Sequence, residues 1–349
     1  MISSTPFAAS GLVAAATGVA VVLLAAAPPL GAQADSPAVA AHVAAAKAAA
    51  GTEWDGLFSR LCAAPPAPAP PSTHAGTAPP AQPRPAGPPD RATWYAPPVK
   101  VFDNLYYVGM TEYSAWAVTT SAGIILIDTI YDYSVEAEIA DGLRSLGLDP
   151  KTIRYAIVSH GHADHSGGAK YLQDTFGTTI VMSAADWDLV DRTPVRPRRD
   201  VVATDGMALT LGDTTITLYV TPGHTLGTLS TVIQVKDHGT PHVAVTWGGT
   251  AFNWLANRSG YITPERTDAF WFHHYIDSSA RFRDVAATAK ADVVLSNHTN
   301  FDNSKTKLPS MAARRADQPH PYIVGPAAVR GYLTVANECA QAGLARLTP

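Results

Sequence analysis

Cysteine is nearly absent from this chain, with only Cys62 and Cys339 in 349 residues. A disulfide-dense scaffold is therefore excluded, and a single intrachain bridge is the most that could form. Charge is also sparse. Asp, Glu, Lys and Arg make up 15% of the residues and the formal net charge is -4, so no basic groove is available for nucleic acid or an acidic membrane surface. The chain has no G-x-S-x-G elbow, no P-loop and no dinucleotide-binding glycine pattern, which removes those nucleophile and nucleotide chemistries. Ser304-Lys305-Thr306-Lys307 does spell S-x-x-K, but no S-D-N or K-T-G triplet accompanies it, and it reads instead as a helix start capped by Asn303 or Ser304. Beyond residue 34 no stretch is long and apolar enough to span a bilayer.

Apolar residues, at 46%, are abundant enough for a sizeable core. Gly11 to Ala27 is uncharged and rich in Ala, Val and Leu. Pro28-Pro29 and the small-x-small pattern Ala32-Gln33-Ala34 follow it. This reads as a signal peptide over 1–34, although Met1 to Ser10 carries no Lys or Arg; an uncleaved anchor is the alternative. Either way the remainder is expected to be exported, periplasmic or secreted. Residues 35–62 form an N-terminal helical extension in which Trp54, Leu57, Phe58 and Leu61 fall at helical spacing. Residues 63–90 are dominated by proline and are expected to be a disordered linker. An exported protein is expected to oxidise its cysteines, so Cys62 and Cys339 should pair and pin the extension to the last helix.

Residues 91–349 alternate short strands and helices. Strands are predicted at 99–102, 105–108, 115–119, 123–128, 155–158, 179–182, 207–211, 215–220, 228–235, 243–247 and 293–295. Helices are predicted at 134–146, 168–176, 184–191, 281–290, 305–315 and 327–342. Two such mixed halves with helices outside them predict an α/β, four-layer αββα sandwich of two mixed β-sheets.

The chemistry is concentrated in His160-Gly161-His162-Ala163-Asp164-His165, directly after the apolar run Tyr155 to Val158. On an extended backbone His160 and His162 point the same way, while Asp164 and His165 lie just past them and can face a second point a few ångströms away. Neutral imidazoles and a carboxylate at this density suit Zn²⁺ better than the all-oxygen sites of Ca²⁺ or Mg²⁺. His224 and His298 each follow a β-like run, as a ligand at a strand end would. His160, His162 and His224 are assigned to one zinc, and Asp164, His165 and His298 to the other. The remaining histidines, His42, His74, His238, His242, His273, His274 and His320, are expected to be solvated.

This pattern resembles the metallo-β-lactamase superfamily, whose hallmark is H-x-H-x-D-H. The resemblance runs from about Trp94 to the C-terminus and includes Trp94 to Pro97, Asn104 to Gly109 and the helix around Ala336 to Gln341. Within the superfamily it is most similar to the class B, subclass 3 β-lactamases. Subclass 1 enzymes use a cysteine where this chain has Thr246-Trp247-Gly248-Gly249-Thr250, and related thioesterases and lactonases usually carry a bridging aspartate there. No aspartate or cysteine occurs from Pro241 to Asn257. The resemblance implies two zinc ions per chain and hydrolysis of a β-lactam amide by a hydroxide held between them, with Asp164 orienting it. The expected partner is a small-molecule substrate, whose carboxylate Thr250, Thr225 or Thr228 would meet. The alternatives are another exported hydrolase of the same fold, acting on a lactone, thioester or small amide, and a non-catalytic zinc-binding domain.

Overall fold

The computed structural model describes residues 1–2, 35–63, 87–315 and 317–347. The proposed signal peptide and most of the proline-rich segment, with His74, lie outside the described residues. Contacts divide the chain into Met1–Ala34 and Asp35–Pro349, and every helix and strand below belongs to the second unit. Among the described residues no helix is long and apolar enough to cross a membrane.

Two N-terminal helices come first, α1 (Pro37–Ala50) and α2 (Asp55–Leu61). Strands β1 (Val99–Phe102), β2 (Leu105–Tyr107), β3 (Trp116–Thr120) and β4 (Gly123–Ile127) then form an antiparallel meander. A π turn, Glu136–Ala140, leads into α3 (Asp141–Ser145) and β5 (Ile153–Ile157). Next come α4 (Ala163–Ser166), α5 (Ala169–Phe176), β6 (Thr179–Ser183), α6 (Ala184–Val190) and β7 (Val201–Ala203). Because helices connect β4 to β7, those strands pair in parallel, and the sheet runs in the order β1 to β7.

The second sheet contains β8 (Met207–Leu211), β9 (Thr214–Val220), β10 (Leu229–Asp237) and β11 (Thr240–Trp247), all antiparallel. Helices α7 (Asn253–Ala256), α8 (Arg258–Tyr261) and α9 (Asp268–Thr288) follow, and then β12 (Val293–Ser296) joins parallel to β11. The last helices are α10 (Ser304–Ala312) and α11 (Pro326–Ala345).

Period-two alternation makes the layers. Ile125 and Ile127 of β4 face the other sheet, where they meet Ile216, Leu218 and Ile233, while Ile124 and Leu126 face outward against Leu143 and Leu172. The outer face of the second sheet carries Val245 and Trp247, packed against Tyr275 and Phe282 of α9 and Tyr332 of α11. This is the expected four-layer αββα sandwich. β7, α7, α8 and the first half of α9 were not among the predicted elements. Trp271, Phe272 and Tyr275 bury the N-terminal half of α9, in a stretch whose paired histidines hide the apolar period.

The N-terminal extension is part of this core. Ala46, Trp54, Leu57 and Leu61 join the cluster around α11, and the Trp54 indole N–H donates to the Ala328 carbonyl at 2.7 Å. Cys62 and Cys339 are disulfide-bonded, closing a sequence separation of 277 residues. Several histidines are not solvated as expected. His320 is 6% exposed, stacks on Phe102 and bonds the Val101 carbonyl, while His242 pairs with Asp292 at 2.6 Å and His42 with Glu338 at 2.7 Å. Each is drawn in by a partner distant in sequence, which periodicity does not reveal.

Glu138, on the π turn, is buried and accepts the Ala96 N–H at 2.9 Å. Burial pushes its carboxyl up to about 8, against the opposing pull of that N–H and of Arg91. The folded state therefore holds a proton that the unfolded chain releases near pH 4.5, and this group takes stability away as pH rises from about 4.5 to about 8. Glu138→Gln keeps the acceptor and removes the titration. The variant should gain on the wild type across that window, by up to about 5 kcal/mol at about 1.36 kcal/mol per pKa unit, in urea unfolding followed against pH. A difference that stays flat from pH 4.5 to 8 would show that Glu138 does not titrate there.

Candidate metal centre

β5 runs out at Ile157, and the next residues curl back over the sheet rim. Asp128, just past β4 in the left-handed region at φ 65°, fixes this curl. Its Oδ1 accepts the Ser159 N–H at 2.7 Å, and its Oδ2 accepts the Ser159 hydroxyl at 3.0 Å. His160 and His162 thereby reach the rim on a bent segment, with His162 itself extended as the cap of α4, so that Asp164 and His165 stand on that helix's single turn. His224 comes from the loop between β9 and β10, and His298 from the turn after β12. Gly249, which closes the loop after β11, sits so near His224 that a Cβ there would lie 2.3 Å from the histidine Cβ. Glycine at this position is a condition of the close approach.

His160, His162 and His224 offer ligand atoms that lie within 4.8 Å of one another. The Nε2 of His224 is 3.1 Å from His160 Nε2 and 3.2 Å from His162 Nδ1. Ligands about 2.05 Å from a tetrahedral zinc are separated by about 3.3 Å, so these nitrogens are spaced as the corners of such a site. A second triad adjoins it. Asp164 Oδ2 lies 3.1 Å from His165 Nε2 and 3.6 Å from His298 Nε2, and the two imidazole nitrogens are 3.1 Å apart. His160 is also within 4.8 Å of Asp164 and His165, so the two groups abut. The six residues picked out by sequence are thus brought together.

The other ring nitrogens fix the tautomers. His160 Nδ1 faces the Gly248 carbonyl at 2.9 Å, His224 Nδ1 the Ala251 carbonyl at 2.7 Å and His165 Nδ1 the Asp128 carboxylate at 2.9 Å. His162 is turned the other way, with Nε2 2.8 Å from the Tyr261 hydroxyl. The two carbonyls and the carboxylate each hold a ring N–H and leave the lone pair of the opposite nitrogen aimed at the shared point, and the Tyr261 oxygen can accept from His162 Nε2 in the same way. Three lone pairs converging without enough protons to separate them are a cation site, and nitrogen donors with one carboxylate fit zinc.

Electrostatics agree with the geometry. Burial, aided by the neighbouring imidazoles, holds His160 and His224 well below the usual histidine range. Burial also pushes His162 down to about 4 and His298 to about 3, with Asp164 opposing in both. These rings are neutral at pH 7, the form that binds metal. Burial would lift Asp164, but His165, His298 and His162 outweigh it and hold the carboxyl below its ordinary value. His165 moves the other way. Burial lowers it, but the Asp164 and Asp128 carboxylates outweigh that and raise it to about 10, so in the metal-free protein a proton stands where a cation would sit.

The threonines expected to meet substrate require correction. Thr250 is 1% exposed with its hydroxyl turned to Tyr332, and the Thr225 hydroxyl is bonded to Asp186 at 2.9 Å and to Thr228 at 2.8 Å. All three hydroxyls are committed to protein partners. The S-x-x-K stretch is equally committed: Ser304 meets the Tyr322 hydroxyl, Lys307 meets Glu53, and Asp302 receives the Ser304 N–H in place of the expected cap. Sequence reasoning missed Asp128, Tyr261 and Asn253, whose Nδ2 lies 3.3 Å from His224 Nε2. Asp128 did carry a signal, since it ends an apolar strand run as His160 does. Asn253 begins α7 and Tyr261 ends α8, four-residue helices too short to show a period.

A family model described as the metallo-beta-lactamase superfamily matches residues 109–239. The hydroxyacylglutathione hydrolase of Acidiphilium cryptum is 27% identical over 113 residues, 32% of this chain and 41% of that protein. A probable polyketide biosynthesis zinc-dependent hydrolase of Bacillus velezensis is 33% identical over 90 residues, 26% of this chain and 37% of that protein. The chain thus spans about half the length, or less, of these curated relatives. BJP-1 of Bradyrhizobium japonicum, a subclass B3 metallo-beta-lactamase of known structure, superposes with a TM-score of 0.62 at 27% identity, over 73% of this chain and 96% of that one.

Proposed function

From a metallo-β-lactamase superfamily domain with the subclass B3 shape, we propose that this chain hydrolyses the β-lactam amide bond with two zinc ions held by the abutting triads. The observation that carries the reading is the donor set, five imidazoles and one carboxylate, with no acidic residue from 241 to 257 to bridge them. Such a set leaves most of the charge of two divalent ions uncompensated and suits an anionic substrate. When bound, zinc supplies a Lewis acid and a water that ionises near neutral pH.

The chain's own groups supply orientation and proton handling. Asp164, kept ionised, accepts the proton of the attacking water and can hand it on to the leaving nitrogen. Tyr261 stays protonated because burial raises its phenol. With His162 donating to its oxygen, its own O–H is free to donate to an amide carbonyl as negative charge develops there. A cavity of about 340 Å³ opens beside these two residues, large enough for a small bicyclic substrate. The Cys62–Cys339 disulfide supports an oxidising, exported location.

A second reading, hydrolysis of a thioester or lactone, draws on the relative named as a hydroxyacylglutathione hydrolase. Steady-state hydrolysis of a penicillin, a cephalosporin, a carbapenem, a homoserine lactone and a thioester by the zinc-loaded protein separates the two. Cleavage of at least one β-lactam class, unaffected by serine-directed acylating inhibitors, is expected. Efficient cleavage of the lactone or thioester with every β-lactam left intact would transfer the conclusion to the second reading.

A further inference from the structure

The loop between α6 and β7 carries four arginines in eight positions, and three of them face an aspartate. Arg196 lies 3.6 Å from Asp191, Arg198 3.8 Å from Asp200 and Arg199 2.8 Å from Asp188. Arg192 does not. Among the described residues its guanidinium makes no ion pair, and it lines the cavity beside His162 and Tyr261. Arg266, between α8 and α9, lines the same cavity. Its nearest acidic neighbour in sequence, Glu265, bonds the Thr263 hydroxyl at 3.0 Å, while Arg258 on the same segment is doubly bonded to Asp268.

The cavity has two acids in its wall, and neither answers these cations. Asp186 is 2% exposed and hydrogen-bonded to the Thr225 hydroxyl, and Asp188 is paired with Arg199. Among the described residues, two guanidinium groups without an ion pair therefore line one cavity together with His162 and the apolar Trp271. The structure also removes the other candidates for an anion, since the Thr225, Thr228 and Thr250 hydroxyls are already bonded.

We propose that Arg192 and Arg266 form an anion clamp that binds the carboxylate of the substrate and presents its amide or ester to His162 and Tyr261. The clamp rests on the hydrolase reading for what is bound and deepens it by naming the substrate class, small acyl compounds that carry a free carboxylate. Guanidinium groups bind carboxylates through paired N–H donors, so two of them lining one cavity select for charge and orient the molecule at once. They are positioning residues, outside both triads.

Binding of a penicillin and of its methyl ester to the zinc-loaded protein tests the clamp, read by intrinsic tryptophan fluorescence because Trp271 lines the cavity, with turnover recorded in the same samples. The wild type should bind the acid at least about ten-fold more tightly than the ester, and added salt should shrink that preference. Arg192→Ala and Arg266→Ala should each lose part of it, and the double variant should lose it, with KM for the acid rising far more than kcat changes. Both side chains are exposed, and ester binding serves as the control for folding. A wild type that discriminates acid from ester without turning over either would sink the β-lactamase reading and leave the clamp standing. No preference in the wild type, or a preference that survives both substitutions, would overturn the clamp.

Discussion

Asp164→Ala is expected to lower kcat/KM by about 10³-fold or more, roughly 4 kcal/mol of transition-state stabilisation. Asp164 is the only carboxylate among the six donors, and its Oδ2 lies within 3.6 Å of the ligand nitrogens of both His165 and His298. Removing it leaves the second triad with two imidazoles and takes away the group that receives a proton from the attacking water. The neighbouring histidines hold the carboxyl below its ordinary value, so at neutral pH the wild type loses a full negative charge on substitution. Asp164→Asn keeps the shape and one acceptor oxygen, and its rate should fall between the two. Rates within ten-fold of wild type for the alanine variant, with both metals retained, would show that Asp164 neither ligates nor moves the proton.

The second large effect is expected at Asp128, which touches no predicted metal position. Its carboxylate, 1% exposed, takes the Ser159 N–H, the Ser159 hydroxyl and His165 Nδ1. Alanine would leave all three buried donors unanswered and place a less tolerant residue at positive φ, costing about 3 kcal/mol or more in folding stability. It would also free His165 to turn and to take the wrong tautomer, lowering zinc affinity at the second triad by about 10- to 100-fold. Urea unfolding measures the first effect, and zinc competition against a chelating dye measures the second. Unchanged stability together with unchanged affinity would remove Asp128 from the account.

The contrast between Asp164 and Asp128 shows what the sequence could disclose. Four candidate ligands sit within six positions after an apolar strand, so local spacing alone picked them out. His224 and His298 followed from the same strand-end logic, because a sandwich gathers its strand ends at one rim. Ile124 to Ile127, read from the sequence only as a strand, is an unbroken apolar run, and its two faces are filled from different layers. Groups whose role depends on a distant partner were opaque. The Thr225 and Thr250 hydroxyls look available in sequence, yet Asp186 and Tyr332 occupy them, and neither is near in sequence. His320 was expected in solvent and lies stacked on Phe102. Arg192 is indistinguishable by pattern from Arg196, Arg198 and Arg199, and only the ion pairs of its neighbours single it out.

The central claim, that the two triads are a zinc centre which hydrolyses β-lactams, meets its most direct test in a zinc titration of the chelator-stripped protein with β-lactam turnover followed at each step. The account predicts no turnover without metal and a rise that levels off near two zinc ions per chain. Turnover that persists undiminished in the stripped protein, or two bound zinc ions with no β-lactam cleaved, would contradict it.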